Sequence, residues 1–257
     1  MRRRFGQMLR IGVSARAVAL VAASRFGRGQ GVVLAEQRCA DAAIDTIGAT
    51  VRALLADAAC DGWPTAIVVA DDMARMWQVT PPPDSARLAD LQAAAGLRFQ
   101  HLYGEAPSAW QIAADYDSVR SFMAAALPRQ LLALLAQAAS AHRLRVVEIN
   151  PQFVSSWNRW RRAVVPGAWY GLVHDNVLTL SAGGAPRALP LPLHADAAWL
   201  ALQLEREALR LGVPAPAHLF VSGAVPPKWA DNPACTVLGP ALELSAAARL
   251  AATGAFA

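Results

Sequence analysis

The chain has 257 residues, 55% of them hydrophobic, with a formal net charge of +5. So large an apolar share excludes a disordered chain and is enough to build one large domain or two lobes. Cys39, Cys60 and Cys235 are widely spaced, with no CxxC and no histidine pair nearby, which excludes a disulfide framework and a zinc motif and fits a reducing cytoplasm.

A single lysine, Lys228, stands against 23 arginines. Together with the alanine excess this reads as the imprint of a GC-rich bacterial genome and identifies no function. The positive charge favours contact with an anionic surface, nucleic acid or the cytoplasmic leaflet, although arginine-rich solubility is the simpler reading.

The start, Met1-Arg2-Arg3-Arg4-Phe5, has the form of a basic export signal. Arg10 and Arg16 then interrupt what should be an uncharged apolar region, and Val13, Val18 and Leu20 alternate with smaller or polar neighbours as strands do. No stretch reaches the roughly 18 consecutive apolar residues of a spanning helix. A protein attached to a membrane only peripherally is expected, with the Arg2–Arg4 cluster as a possible contact.

Along the chain, strands are expected over Leu9–Ser14, Ala17–Ser24 and Gly31–Gln37, with a turn-prone stretch over Arg25–Gly29. A helix over Asp41–Ala59 and a strand over Ala66–Ala70 follow. After Asp71-Asp72, Pro81-Pro82-Pro83 forces a turn or extended segment and opens an insertion. It contains a helix over Ser85–Ala95 stopped by Gly96, and a strand over Ala109–Tyr116, enough for a small α+β unit attached to the first lobe only. A helix over Pro128–His142 and a strand over Leu144–Ile149 return the chain to that lobe. In the connecting helix Gln152–Arg162, Val154, Trp157 and Trp160 fall on one face.

The opening pattern then repeats. Ala168–Val173 and Val177–Ser181 flank the turn His174-Asp175-Asn176, Arg187–Leu193 follows Gly183-Gly184, a helix fills Asp196–Leu211, and Leu219–Ser222 closes the unit. Two such units imply two similar lobes facing a cleft.

Three strings carry a resemblance through their order and spacing: Arg10-Ile11-Gly12-Val13-Ser14 followed by Ala17–Val21, Val146-Val147-Glu148-Ile149-Asn150-Pro151 before a helix, and Leu219-Phe220-Val221-Ser222-Gly223. The chain resembles the actin-like fold shared by actin, sugar kinases such as hexokinase and Hsp70-type chaperones. More closely, it resembles the PilM/HofM-like type IV pilus assembly proteins. The resemblance implies an α/β, two-lobed fold, each lobe built as three strands, helix, strand, helix, strand, helix. The first lobe is expected over 1–70 and 127–163, the insertion over 71–126, and the second lobe over 164–257.

The resemblance also implies a nucleotide cleft, here degenerate, at Gly12, Ser14, Arg16, Ser222 and Gly223. Active ATPases of the fold carry an Asp, a glycine and a hydroxyl residue in the first strand turn, a second Asp-x-Gly turn, and a glycine pair near the adenosine. Such residues position Mg²⁺ and let backbone N–H groups approach phosphates. Here the first turn is Ser14-Ala15-Arg16, Asp175 reads as a turn former, and Ser222-Gly223-Ala224 has one glycine. Weak ATP binding stays open, but ATP hydrolysis, a required cofactor and a metal site are not expected.

Other chemistry lacks an anchor. The five histidines fall outside HxxxH and HExxH spacing, and neither a nucleophile elbow nor a phosphate loop is present. Trp157–Arg162 is the best local case for nucleic-acid binding, but arginines in a last helical turn and indoles on one face also suit packing between lobes. Glu207 and Arg210 suit a helix surface pair.

The expected role is thus a non-catalytic cytoplasmic scaffold, peripheral to the inner membrane, for a type IV pilus or related secretion apparatus. Its partner would be the N-terminal cytoplasmic peptide of a single-span inner-membrane protein, received beside residues 73–126. The related secretion proteins carry a transmembrane helix after this part, from which a chain ending at Ala257 departs. The alternatives are a nucleotide-dependent kinase or ATPase of the same fold, and a basic nucleic-acid-binding module.

Overall fold

A computed structural model describes residues 6–24, 31–83 and 87–255. The expected turn at Arg25–Gly29, the first residues of the expected helix at Ser85, and the Arg2–Arg4 cluster lie outside them.

The chain opens with strands β1 (Gln7–Val13), β2 (Ala17–Ser24) and β3 (Val32–Arg38), helix α1 (Ile44–Asp57) and strand β4 (Pro64–Val69). The insertion follows as β5 (Arg75–Val79), α2 (Leu88–Tyr103), β6 (Trp110–Ala114) and β7 (Phe122–Pro128). Helix α3 (Arg129–Ala141), strand β8 (Arg145–Pro151) and helix α4 (Gln152–Trp160) lead to the second unit: β9 (Trp169–His174), β10 (Val177–Ser181), β11 (Arg187–Pro190), α5 (Ala197–Leu211), β12 (Leu219–Gly223), α6 (Pro227–Ala230), β13 (Cys235–Leu238) and α7 (Ala246–Ala252).

The two large sheets repeat one topology, in the orders β3-β2-β1-β4-β8 and β11-β10-β9-β12-β13. Each begins as an antiparallel hairpin and continues through parallel pairs. Even the strand exits correspond: Ala70 N donates to Val13 O at 2.8 Å, and Ala224 N donates to Val173 O at 2.9 Å.

Alternation along the central strands explains the layers, since successive side chains in a strand point to opposite faces. Leu9, Ile11 and Val13 join Ile47 and Val51 of α1 and Leu131 and Leu135 of α3 in one core. Arg10 and Gly12 face the other way and are covered by α7, whose Ala247, Ala248 and Ala251 pack on Ala19 and Val21. Reciprocally, Phe153 of α4 packs on Tyr170 and Leu172 of β9. Each unit thus lends a helix to the sheet of the other.

Four expectations need correction. The insertion helix passes through Gly96 to Tyr103 and ends at Gly104, which has φ +66°. An interior glycine costs a helix only about 1 kcal/mol, and burial of Leu91, Ala95 and Phe99 on one face outweighs it. Strands β5 and β7 complete a three-stranded sheet, order β5-β7-β6, and β7 runs to Pro128, past the expected end of the insertion at residue 126. The insertion is not held by the first lobe alone. Met76 and Met123 pack into the Phe153, Tyr170 and Leu172 cluster, and Gln78 Oε1 lies 3.0 Å from where a Cβ on Gly184 would sit. The strand expected over Arg187–Leu193 stops at Pro190.

Candidate functional site

Several concave regions are built where these elements meet. The first lies between the tips of the β1–β2 and β9–β10 hairpins and the insertion, a cavity of about 480 Å³ whose polar lining includes Ser14, Arg16, Asp71, Asp72, His174 and Asp175. Ser14 spends its hydroxyl locally: Oγ accepts from Arg16 N at 3.2 Å and Ala17 N at 3.0 Å and donates to Ala17 O at 2.9 Å. Arg16 reaches across to Asp175, Nη1 to Oδ2 at 4.0 Å, with 84% of its side chain exposed. An exposed pair at that distance contributes at most about 1 kcal/mol. Asp175 itself takes φ +50°, the conformation of a turn former.

His174 is half-buried beside this pair, Nε2 to Asp175 Oδ2 at 3.6 Å. Burial lowers the imidazole pKa most, Asp175 opposes that shift, and Arg249 adds to it. Asp71 caps α4 from a distant part of the sequence, its Oδ1 accepting from Phe153 N at 2.9 Å. Burial nevertheless raises its carboxyl pKa to about 7, against the helix hydrogen bonds and helped by neighbouring Asp72. The sequence placed Asp71 only at a domain boundary. A helix cap contributed from 82 positions away leaves no local signal.

Ser222 and Gly223 lie elsewhere, in a separate cavity of about 170 Å³ with Ser156, Trp160 and Gly239. Ser222 is buried, and its Oγ hydrogen-bonds Tyr170 Oη at 2.8 Å and Ser156 Oγ at 3.0 Å; Tyr170 and Ser156 are joined at 2.5 Å. Burial of this hydroxyl triad pushes the Tyr170 phenol up to about 12. Gly223 has φ +92°, and a Cβ there would lie 2.1 Å from Val173 O, so only glycine fits that strand exit. Gly12 lines neither cavity and is buried under α7. The five residues that the resemblance groups into one cleft are therefore divided among three places. Among the described residues no group of three or more His, Cys, Asp and Glu side chains is placed to hold a metal ion.

A further concave region is a groove of about 230 Å³ between the insertion and the first lobe. Its apolar walls are Ala113, Ala125, Ile149, Val154 and Trp157, and its polar points are Asp115, Asn150 and Asn158. Strands β6 and β8, which flank it, are both edge strands of their sheets. An apolar trough beside edges with unpaired backbone groups suits an extended peptide.

No family model matches the chain, and no curated protein matches it significantly. Among solved structures it is similar to the cytoplasmic domain of EpsL, an inner-membrane component of the type II secretion system of Vibrio cholerae, with TM-score 0.59 and 11% identity over 97% of this chain and 94% of that one. It is also similar to a Bacteroides thetaiotaomicron protein of actin-like ATPase fold and unknown function, with TM-score 0.56 and 10% identity over 87% and 84%. A third similarity is to the PilM-PilN type IV pilus biogenesis complex, with TM-score 0.52 and 15% identity over 84% and 81%. The chain has the two-lobed actin-like fold.

Proposed function

We propose that this actin-like chain is a non-catalytic scaffold of a type IV pilus or type II secretion apparatus. It holds the N-terminal cytoplasmic segment of a single-span inner-membrane protein in the groove between β6 and β8. The observation that carries this reading is the groove itself: an apolar trough between two strand edges that, among the described residues, pair with no further strand. Backbone hydrogen bonds to an edge give affinity, and pockets for alternate side chains set register. Asp115, Asn150 and Asn158 supply the polar points that select orientation. The fold shared with EpsL and with the PilM-PilN complex supports the assignment. Among the described residues no helix is long and apolar enough to cross a membrane, so attachment through a spanning partner accords with it.

The hairpin residues support binding rather than turnover. Active ATPases of the fold carry a carboxylate in the first strand turn, where it positions Mg²⁺, whereas Ser14 turns its hydroxyl back on its own turn. These residues do not fit a hydrolytic nucleotide site. The cavity beside them, with Asp71, Asp72 and Asp175, is the observation favouring the second reading, an ATPase or kinase of this fold. Incubation with Mg²⁺-ATP separates the two: turnover at background supports the scaffold, and turnover abolished by Asp71→Asn or Asp175→Ala supports the enzyme.

The groove is tested by calorimetric titration with a synthetic peptide copying the cytoplasmic N-terminus of a single-span inner-membrane protein of such an apparatus. Ala125→Trp fills the trough from its half-buried wall and is expected to abolish binding while circular dichroism stays unchanged. Undiminished binding by the folded variant would overturn the assignment.

A further inference from the structure

The turn between the lobes carries a strongly basic surface that the peptide groove does not use. From α4 the chain runs through Arg159, Arg161 and Arg162 to Val165, Pro166 and Gly167, all of them exposed, Val165 at 53%. Between Glu148 and Asp175 the sequence has no acidic residue. Among the described residues Arg161 and Arg162 make no ion pair, and Arg159 stacks on Trp160 with its guanidinium carbon 5.1 Å from the ring centroid.

We propose that this turn is a contact surface for an anionic lipid bilayer, with the arginines at the headgroups and Val165 at the interface. Charge and apolar exposure together are what a membrane surface rewards, and each basic residue close to an anionic leaflet contributes about 1 kcal/mol. Nucleic acid fits less well because the indoles that would stack on bases are engaged in the protein. Trp157 packs on Tyr170 with ring centroids 5.4 Å apart, and Trp160 lies against Gly239, 2.9 Å from where a Cβ there would sit. Such a surface is too weak to anchor the protein alone and suits one that a spanning partner already holds nearby. It also fixes which side of the molecule faces the membrane.

The test is co-sedimentation of the full chain with vesicles, without any partner, so its outcome is independent of the peptide groove. Wild type is expected to bind phosphatidylcholine vesicles containing about one-third phosphatidylglycerol, and to be released by about 0.5 M salt. It should not bind phosphatidylcholine alone. The triple variant Arg159→Gln, Arg161→Gln, Arg162→Gln should lose roughly 100-fold in partitioning, since about 1.4 kcal/mol is tenfold. The double variant at 161 and 162, which keeps the Arg159–Trp160 stack, should lose about 30-fold. A control with the same charge loss at the exposed Arg52, Arg98 and Arg206 should lose far less. Equal loss in the control, or no preference for anionic vesicles, would overturn the proposal. Tighter binding of a single-stranded oligonucleotide, sensitive to the same arginines, would overturn it in favour of nucleic acid.

Discussion

Gly12 is in contact with the backbone of α7: a Cβ at that position would lie 2.6 Å from Ala251 N and 2.7 Å from Ala247 O. The neighbouring Arg10, buried on the same face of β1, donates from Nε to Ala251 O at 2.8 Å and from Nη2 to Thr253 O. The residue that looks like part of a nucleotide cleft instead lets the last helix of one lobe dock on the sheet of the other. Gly12→Ala is expected to cost about 1–3 kcal/mol, as overpacking does, read as a lower denaturant midpoint. Unchanged stability would show that α7 is free to move away.

Gly96 provides the opposite case. It lies inside α2, and the nearest atom to its missing Cβ, on Pro107, is 3.9 Å away. Gly96→Ala should stabilise the chain by about 0.5–1 kcal/mol through lost unfolded-state entropy. A destabilised variant would mean that the helix is broken there.

Ser222 is expected to act through Tyr170 and Ser156 and not through a ligand. Tyr170→Phe leaves the two serine hydroxyls joined at 3.0 Å and should cost about 1 kcal/mol. Ser222→Ala removes a shared partner from two buried hydroxyls and should cost about as much or more. Thermal unfolding of the two variants checks this, and a neutral Ser222→Ala would contradict a structural role.

Asp71 gives the fold a pH dependence. Its carboxyl titrates near 7 in the folded chain against 3.8 for the unfolded residue. The fold therefore favours the protonated form, and this contribution is complete below about pH 4 and lost as the pH rises through 7. Asp71→Asn keeps an oxygen for Phe153 N and removes the titration. At about pH 8 the variant should be more stable by on the order of 1–3 kcal/mol, discounted for the open side of the cavity, while below pH 4 the two should coincide. Parallel melting profiles across that range would refute the assignment.

Much of the architecture was legible because it is written locally. The alternation in Leu9, Ile11 and Val13 and the short turn His174-Asp175-Asn176 each place an element, and the repetition of the pattern implies paired sheets. Helix α7 and strand β13 were not read, since an alanine-rich run of seven residues and a strand of four have too little periodicity to stand out. Gly96 misled because a single glycine looks like a stop when the burial of Phe99 beyond it is unseen. The site was less legible than the fold. Ser14 and Ser222 stand out by residue type, but that both hydroxyls are spent inside the protein depends on partners such as Ala17, Tyr170 and Ser156. The groove walls, Ala113 to Ile149 to Trp157, come together only through the third sheet, whose strands β5 and β7 carry no clear signal of their own.

Hydrogen exchange with and without the membrane-protein peptide tests the central claim most directly, because it reports where the peptide sits. Edge-strand binding is expected to slow exchange in Trp110–Ala114 and Arg145–Pro151, leaving the hairpin tips at 14–17 and 174–177 unchanged. Protection confined to those tips, or produced there by Mg²⁺-ATP and accompanied by turnover, would contradict the scaffold account.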